Sequence, residues 1–112
     1  MLKSEIWVKA HLHRCFAAGL TAVIANKGAP EAGAIYVQVT MSPHKVRVFA
    51  PAPGPAYGDD GQRNWSQPLG EAPVDIEAAQ DYFSRQKSFD PDIWIIDIDD
   101  RKGTGLLEVV DQ

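Results

Sequence analysis

The sequence predicts an α+β domain, a mainly antiparallel sheet of four to five strands with two helices packed on one face. Three observations carry this. Residues 4–19 and 73–89 repeat apolar side chains every three to four positions, the spacing of one helix face. Residues 34–40 and 45–49 alternate apolar and polar positions on either side of a short turn, as a hairpin covered on one side and wet on the other would. Ile93-Trp-Ile-Ile-Asp-Ile98 is the most hydrophobic run and reads as a central strand. Strands grouped together and framed by helices favour segregated α+β layers.

Taken in order, Ser4 is the expected N-cap of the first helix, and Val8, Leu12, Cys15, Phe16 and Gly19 recur at the spacing of one buried face. Gly19 suits the left-handed position that ends it. Thr21–Ala25 reads as a short buried strand, and Gly28–Gly33 as the turn leading to Ala34–Thr40, where Ile35, Val37 and Val39 share one face and Tyr36, Gln38 and Thr40 the other. Ser42-Pro43-His44 turns the chain into Lys45–Phe49, where Val46 and Val48 alternate with Lys45, Arg47 and Phe49. Residues 51–61 form a Pro/Gly-rich loop, followed by a short edge strand at Arg63–Gln67. Pro73 suits the first position of a second helix, with Ile76, Ala79, Tyr82 and Phe83 as its apolar face. Pro91 disfavours helix at Asp90, so this helix ends near Phe89. Asp100–Gly103 reads as a type I turn with Gly103 left-handed, and Leu106–Val110 as a returning strand.

A chain of 112 residues with 45% hydrophobic and 23% charged residues is long enough for one core and too short for two, so residues 1–112 are expected to form a single domain. One cysteine excludes an internal disulfide framework. No secretion signal or apolar run long enough to span a membrane is present, which leads us to expect a cytoplasmic protein. Residues 1–70 carry seven Lys/Arg against four Asp/Glu, and residues 71–112 four against eleven. A net charge of −4 repels phosphate backbones, so neither nucleic acid nor a membrane is the expected partner.

Several of these stretches resemble a known family. Lys3-Ser-Glu-Ile-Trp-Val-Lys-Ala10, the Ala18-Gly19 ending, Gly33-Ala34-Ile35 and above all Phe89-Asp-Pro-Asp-Ile-Trp-Ile-Ile-Asp-Ile-Asp-Asp-Arg101 look like the small bacterial family called domain of unknown function fourteen ninety-one. The resemblance covers nearly the whole chain. It implies a single-domain cytoplasmic protein and brings no activity, ligand, cofactor or catalytic residue with it.

The residues themselves offer three kinds of candidate chemistry. His11 and Cys15 stand one helical turn apart and can share a metal, but no further ligand completes a familiar zinc pattern, and Cys15 is already explained as core. Asp97 and Asp99 project to the same face of a strand, an arrangement that can hold a hard cation. Trp7 and Trp94, were they to converge with Arg14 or Arg63, would line a pocket for a planar or anionic ligand.

No Gly-x-Ser-x-Gly, Gly-x-Gly-x-x-Gly or phosphate-binding loop is present, so no catalytic residue and no cofactor are expected. The favoured function is a small non-catalytic binding or protein-interaction domain; the alternative is a metal-assisted hydrolase using Asp97 and Asp99. If Val46 and Val48 face the helices, Arg47 and Phe49 lie on the open side. With Trp65 they would make an exposed patch at the edge of the sheet, for self-association or for a protein partner.

Overall fold

The computed structural model describes residues 2–54 and 63–107. The first helix, α1, spans Ser4–Ala17, and its N-cap is Lys3 and not the expected Ser4. The Ser4 amide donates to the Glu31 carbonyl at 3.0 Å and the Glu5 amide to the Pro30 carbonyl at 2.9 Å. Backbone from a neighbouring turn thus satisfies the free amides that a capping side chain would otherwise take. The Ser4 hydroxyl instead donates to the Gly33 carbonyl, 2.7 Å away in the interior. Only glycine fits at position 33, where a Cβ would stand 2.6 Å from the Asp92 carbonyl oxygen.

The buried stripe of α1 is Ser4, Trp7, Val8, His11 and Cys15. Cys15 is core, as expected, but Phe16 is 56% exposed. Trp7 and Phe16 lie nine positions apart, half a turn around the helix, so burying one exposes the other. The larger indole is the one inside. Gly19, at φ 81°, ends the helix as expected. Its amide bonds the Phe16 carbonyl and the Leu20 amide bonds that of Cys15, the paired closure of a Schellman ending.

The strands are β1 (Thr21–Asn26), β2 (Ile35–Thr40), β3 (Lys45–Pro51), β4 (Trp65–Ser66), β5 (Val74–Asp75) and β6 (Trp94–Asp99), with α2 (Ile76–Phe89) between the last two. The sheet has six strands where four to five were expected; the unforeseen one is β5. Pro73 does not open the second helix, because Val74 and Asp75 pair with Val46 and Lys45 of β3 and Asp75 becomes the N-cap.

The order across the sheet is β1-β6-β2-β3-β4, with β5 beside β4 on β3. Every pairing is antiparallel except β2 with β6. β1 is an outer strand and not a buried one: Ala22 is inside, whereas Val23 is 53% and Ile24 40% exposed. Leu106 and Leu107 are not in a strand, and the rest of the strand expected at 106–110 lies outside the described residues. So does most of the Pro/Gly-rich loop at 51–61, whose first residue, Pro51, belongs to β3.

The two helices pack on opposite faces, correcting the expectation of one shared face. Trp7, Val8 and Cys15 of α1 pack with Val37, Val39, Phe49, Trp65, Trp94, Ile96 and Ile98. Ala79 and Phe83 of α2 pack with Val46, Val48, Ile93 and Ile95. Neighbouring residues on a strand point to opposite sides, so Val48 with Phe49, and Ile95 with Ile96, each divide between the two cores. Among the described residues, no helix is long and apolar enough to cross a membrane.

Candidate functional site

On the flank of α1 that looks toward β4, Trp7, His11 and Arg14 follow one another along the helix at intervals of four and three residues. They meet Arg63, Trp65, Leu106 and Leu107 around an open cavity of about 190 Å³. Trp7 is its centre. The His11 ring stacks on the indole, centroids 4.7 Å apart and planes within 9°. Trp65 tilts against it at 5.4 Å. The Arg14 guanidinium lies 5.9 Å and the Arg63 guanidinium 5.5 Å from the indole centroid, so two cations share one π face system.

The imidazole is held in one protonation state. Arg14 Nη2 donates to His11 Nδ1 at 2.7 Å, so Nδ1 must accept, and Nε2 carries the proton it donates to the Gly105 carbonyl at 2.8 Å. Burial pushes the His11 pKa below its ordinary 6.5, outweighing the upward pull of the Gly105 bond, and the Arg14 charge lowers it further.

Asp100 positions that carbonyl. Its carboxylate accepts from the Lys102 and Gly105 amides, both at 3.0 Å, and from the Thr104 hydroxyl at 3.1 Å. Burial raises the Asp100 pKa, but these bonds outweigh it and leave the carboxyl below its ordinary range. The expected Asp100–Gly103 turn is present, closed by the Gly103 amide on the Asp100 carbonyl at 2.9 Å. The site therefore gathers two guanidinium groups beside an aromatic plane, with its histidine neutral.

Trp7 and Arg14 converge as the sequence suggested, and Arg63 with them. Trp94 does not: it is buried on the same face, with its indole N–H donating to the Ala29 carbonyl at 2.8 Å. The exposed patch expected around Arg47, Phe49 and Trp65 is overturned. Phe49 is 1% and Trp65 2% exposed, because α1 covers the face expected to be open. β3 is not an edge either, since β2 flanks it on one side and β4 and β5 on the other. Arg47 lies over the Phe49 ring at 5.4 Å and donates to the Gly103 carbonyl at 2.8 Å.

Both ring nitrogens of His11 are engaged, and burial raises the Cys15 thiol pKa, so this pair has neither a free nitrogen nor a ready thiolate for a metal. Asp97 and Asp99 open into different depressions, Asp97 beside α2 and Asp99 near Thr21, Met41 and Lys102. Among the described residues, no group of three or more His, Cys, Asp or Glu is arranged to hold a metal. Sequence reasoning missed the part His11 plays. Its spacing from both Trp7 and Arg14 places all three along one flank, a signal legible without coordinates. The two leucines carry no such signal.

A family model described as a protein of unknown function, DUF1491, matches residues 2–108. This chain belongs to the DUF1491 family. Solved relatives share the fold along their whole length. A crystal structure of a DUF1491 protein from Caulobacter crescentus is 30% identical, with a TM-score of 0.79 and 98% of each chain covered. A solution structure from A. tumefaciens is 35% identical, with a TM-score of 0.82, covering 99% of this chain and 96% of that one. No curated protein matches this DUF1491 chain. The family assignment agrees with the resemblance drawn from the Phe89–Arg101 stretch.

Proposed function

We propose that this DUF1491 protein is a small non-catalytic binding domain whose site is the Trp7 cavity and whose ligand carries a planar anionic group, a carboxylate above all. The observation that carries this is the convergence of Arg14 and Arg63 on one indole at an open cavity. A guanidinium pairs with a carboxylate through two parallel N–H bonds, and an aromatic wall beside it favours a flat group. The neutral His11 supports binding over proton transfer, because both of its nitrogens are already occupied. The carboxylate belongs either to a small molecule or to an acidic segment of a protein partner.

Benzoate is the probe, followed on the Trp7 indole N–H and the Arg14 side chain by NMR. Saturable shifts that benzamide does not reproduce, and that Arg14→Gln weakens at least tenfold, are expected. An acidic peptide that competes for the same shifts more tightly than benzoate assigns the site to a protein partner. Shifts that never saturate, or that Arg14→Gln leaves alone, overturn the proposal.

A further inference from the structure

The opposite face of the sheet carries a second, differently built cavity. Tyr36, Gln38 and Thr40 of β2 alternate toward α2, as do Ile95 and Asp97 of β6, and Gln38 is paired directly with Asp97 across the parallel ladder. The aromatic part of α2 covers only one end of this surface, where Phe83 and Tyr82 pack on Tyr36. At Gln38 and Asp97 the sheet turns polar and a cleft of about 260 Å³ opens. Gln38 and Asp97 form its floor with Ile95, while Gln80, Phe83, Ser84 and Lys87 form its wall. The wall residues recur at i, i+3, i+4 and i+7, so they line one stripe of the helix.

The charges in this cleft are set apart. The Thr40 hydroxyl donates to Asp97 Oδ1 at 2.7 Å and accepts from the Gln38 amide at 3.3 Å, a relay that orients the carboxylate. Lys87 lines the same cleft, yet the ion pairs among the described residues are Lys3–Glu31, Lys9–Glu5 and Lys45–Asp75, and Asp97 with Lys87 is not among them. Burial raises the Asp97 pKa, outweighing the downward pull of the hydrogen bonds from Thr40 and Gln38, and the neighbouring Asp99 carboxylate adds to the rise. An incoming cation would relieve both effects. Withdrawing a carboxylate from water without a counter-charge is costly, and an ammonium lining the same cleft has not been brought in to offset it.

We infer that the cleft is a binding site for a small zwitterion of the α-amino-acid class, with its ammonium group on Asp97, its carboxylate on Lys87 and Ser84, and an apolar side chain against Phe83 and Ile95. The volume lies just under the range of roughly 300–1,000 Å³ that holds drug-sized ligands, which fits a molecule of amino-acid size. The site is independent of the Trp7 cavity, which lies on the other face.

The test is titration of the isotopically labelled full-length protein with each of the twenty common amino acids, beginning with L-leucine, while amide signals are followed. Saturable shifts at Gln38, Ser84, Lys87 and Asp97, with the Trp7 indole unmoved, are expected for an apolar member. Isoamylamine and 4-methylpentanoate, each keeping one of its charges, should bind at least tenfold more weakly. Asp97→Asn and Lys87→Ala should each lower affinity at least tenfold, with cooperative melting confirming that both variants fold; Asp97→Asn keeps the acceptor for Thr40. If no amino acid gives saturable shifts, if the shifts fall elsewhere, or if binding ignores both substitutions, the inference is overturned.

Discussion

The two faces of this sheet are finished in opposite ways. Under α1 the strand residues Ile35, Val37, Val39, Ile96 and Ile98 are completely buried, and the guanidinium groups stand at a rim beside Trp7. Under α2 the apolar packing gives out partway across, and a half-buried carboxylate remains on the sheet itself. The first face is a closed core with guanidinium groups at its margin. The second is a core with a polar cleft cut into it. One small domain therefore carries two differently built surfaces, one over each core, because the sheet separates them.

The largest expected effect comes from the closed face. Phe49→Ala should cost about 3–5 kcal/mol in chemical denaturation, the range for removing a fully buried aromatic ring. A loss below about 0.5 kcal/mol would be that of a surface residue and would break the contrast between the faces. Next is Asp100→Ala, which strips two amides and a hydroxyl of their acceptor. A loss of about 2–3 kcal/mol is expected, together with shifts at His11, since the loop that presents Gly105 depends on that carboxylate.

His11 and Asp97 then sharpen the comparison through pH. His11 has a depressed pKa in the folded state, so its unfolded form takes up a proton first as pH falls through 6.5, and stability declines below that point. Denaturation of the wild type at about pH 8 and about pH 5.5 should show this decline, and His11→Gln should reduce it. Asp97 works in the other direction. Its raised pKa penalises the folded state once the carboxyl is ionised, so its contribution is favourable below the unfolded value of 3.8 and is lost as pH rises through the folded one. The smallest effect follows: Asp97→Asn should raise the melting temperature slightly at neutral pH, and the gain should vanish in acid.

How much of this the sequence showed depended on how local each feature was. The β2–β3 hairpin is legible because Val37 and Val39 alternate with Gln38 and Thr40, and Val46 and Val48 with Arg47 and Phe49, across a turn of a few residues; which sides coincide is not, since Val37 and Val39 stand opposite Phe49 and Arg47. α2 is legible because Ala79 and Phe83 repeat at helical spacing. The side each helix takes is not legible. Lys45 and Arg47 made one side of β3 look wet, yet Arg47 lays its guanidinium over Phe49 and is half-covered, on the face that α1 packs against. At the Trp7 site the α1 residues share a helix and can be aligned from spacing, whereas Trp65 and Leu107 arrive from other parts of the chain. Asp97 and Asp99 do share a strand face as read, but only α2 decides that one sits in a cleft and the other outside it.

The position of β6 also bears on how the molecule is made. Residues 94–99 lie between β1 and β2, and β6 is the only strand with which β1 pairs among the described residues. While the chain is being synthesised from its N-terminus, the hairpin of β2 and β3 can form and offer α1 part of its core, but β1 waits for a strand some seventy residues downstream of it. Trp94, Ile96 and Ile98 reach the α1 core at the same late moment. Contacts of such long sequence separation close slowly, and apolar surface stays open until they do. The sheet is thus completed from its middle, and among the described residues β1 has no partner strand until β6 is made.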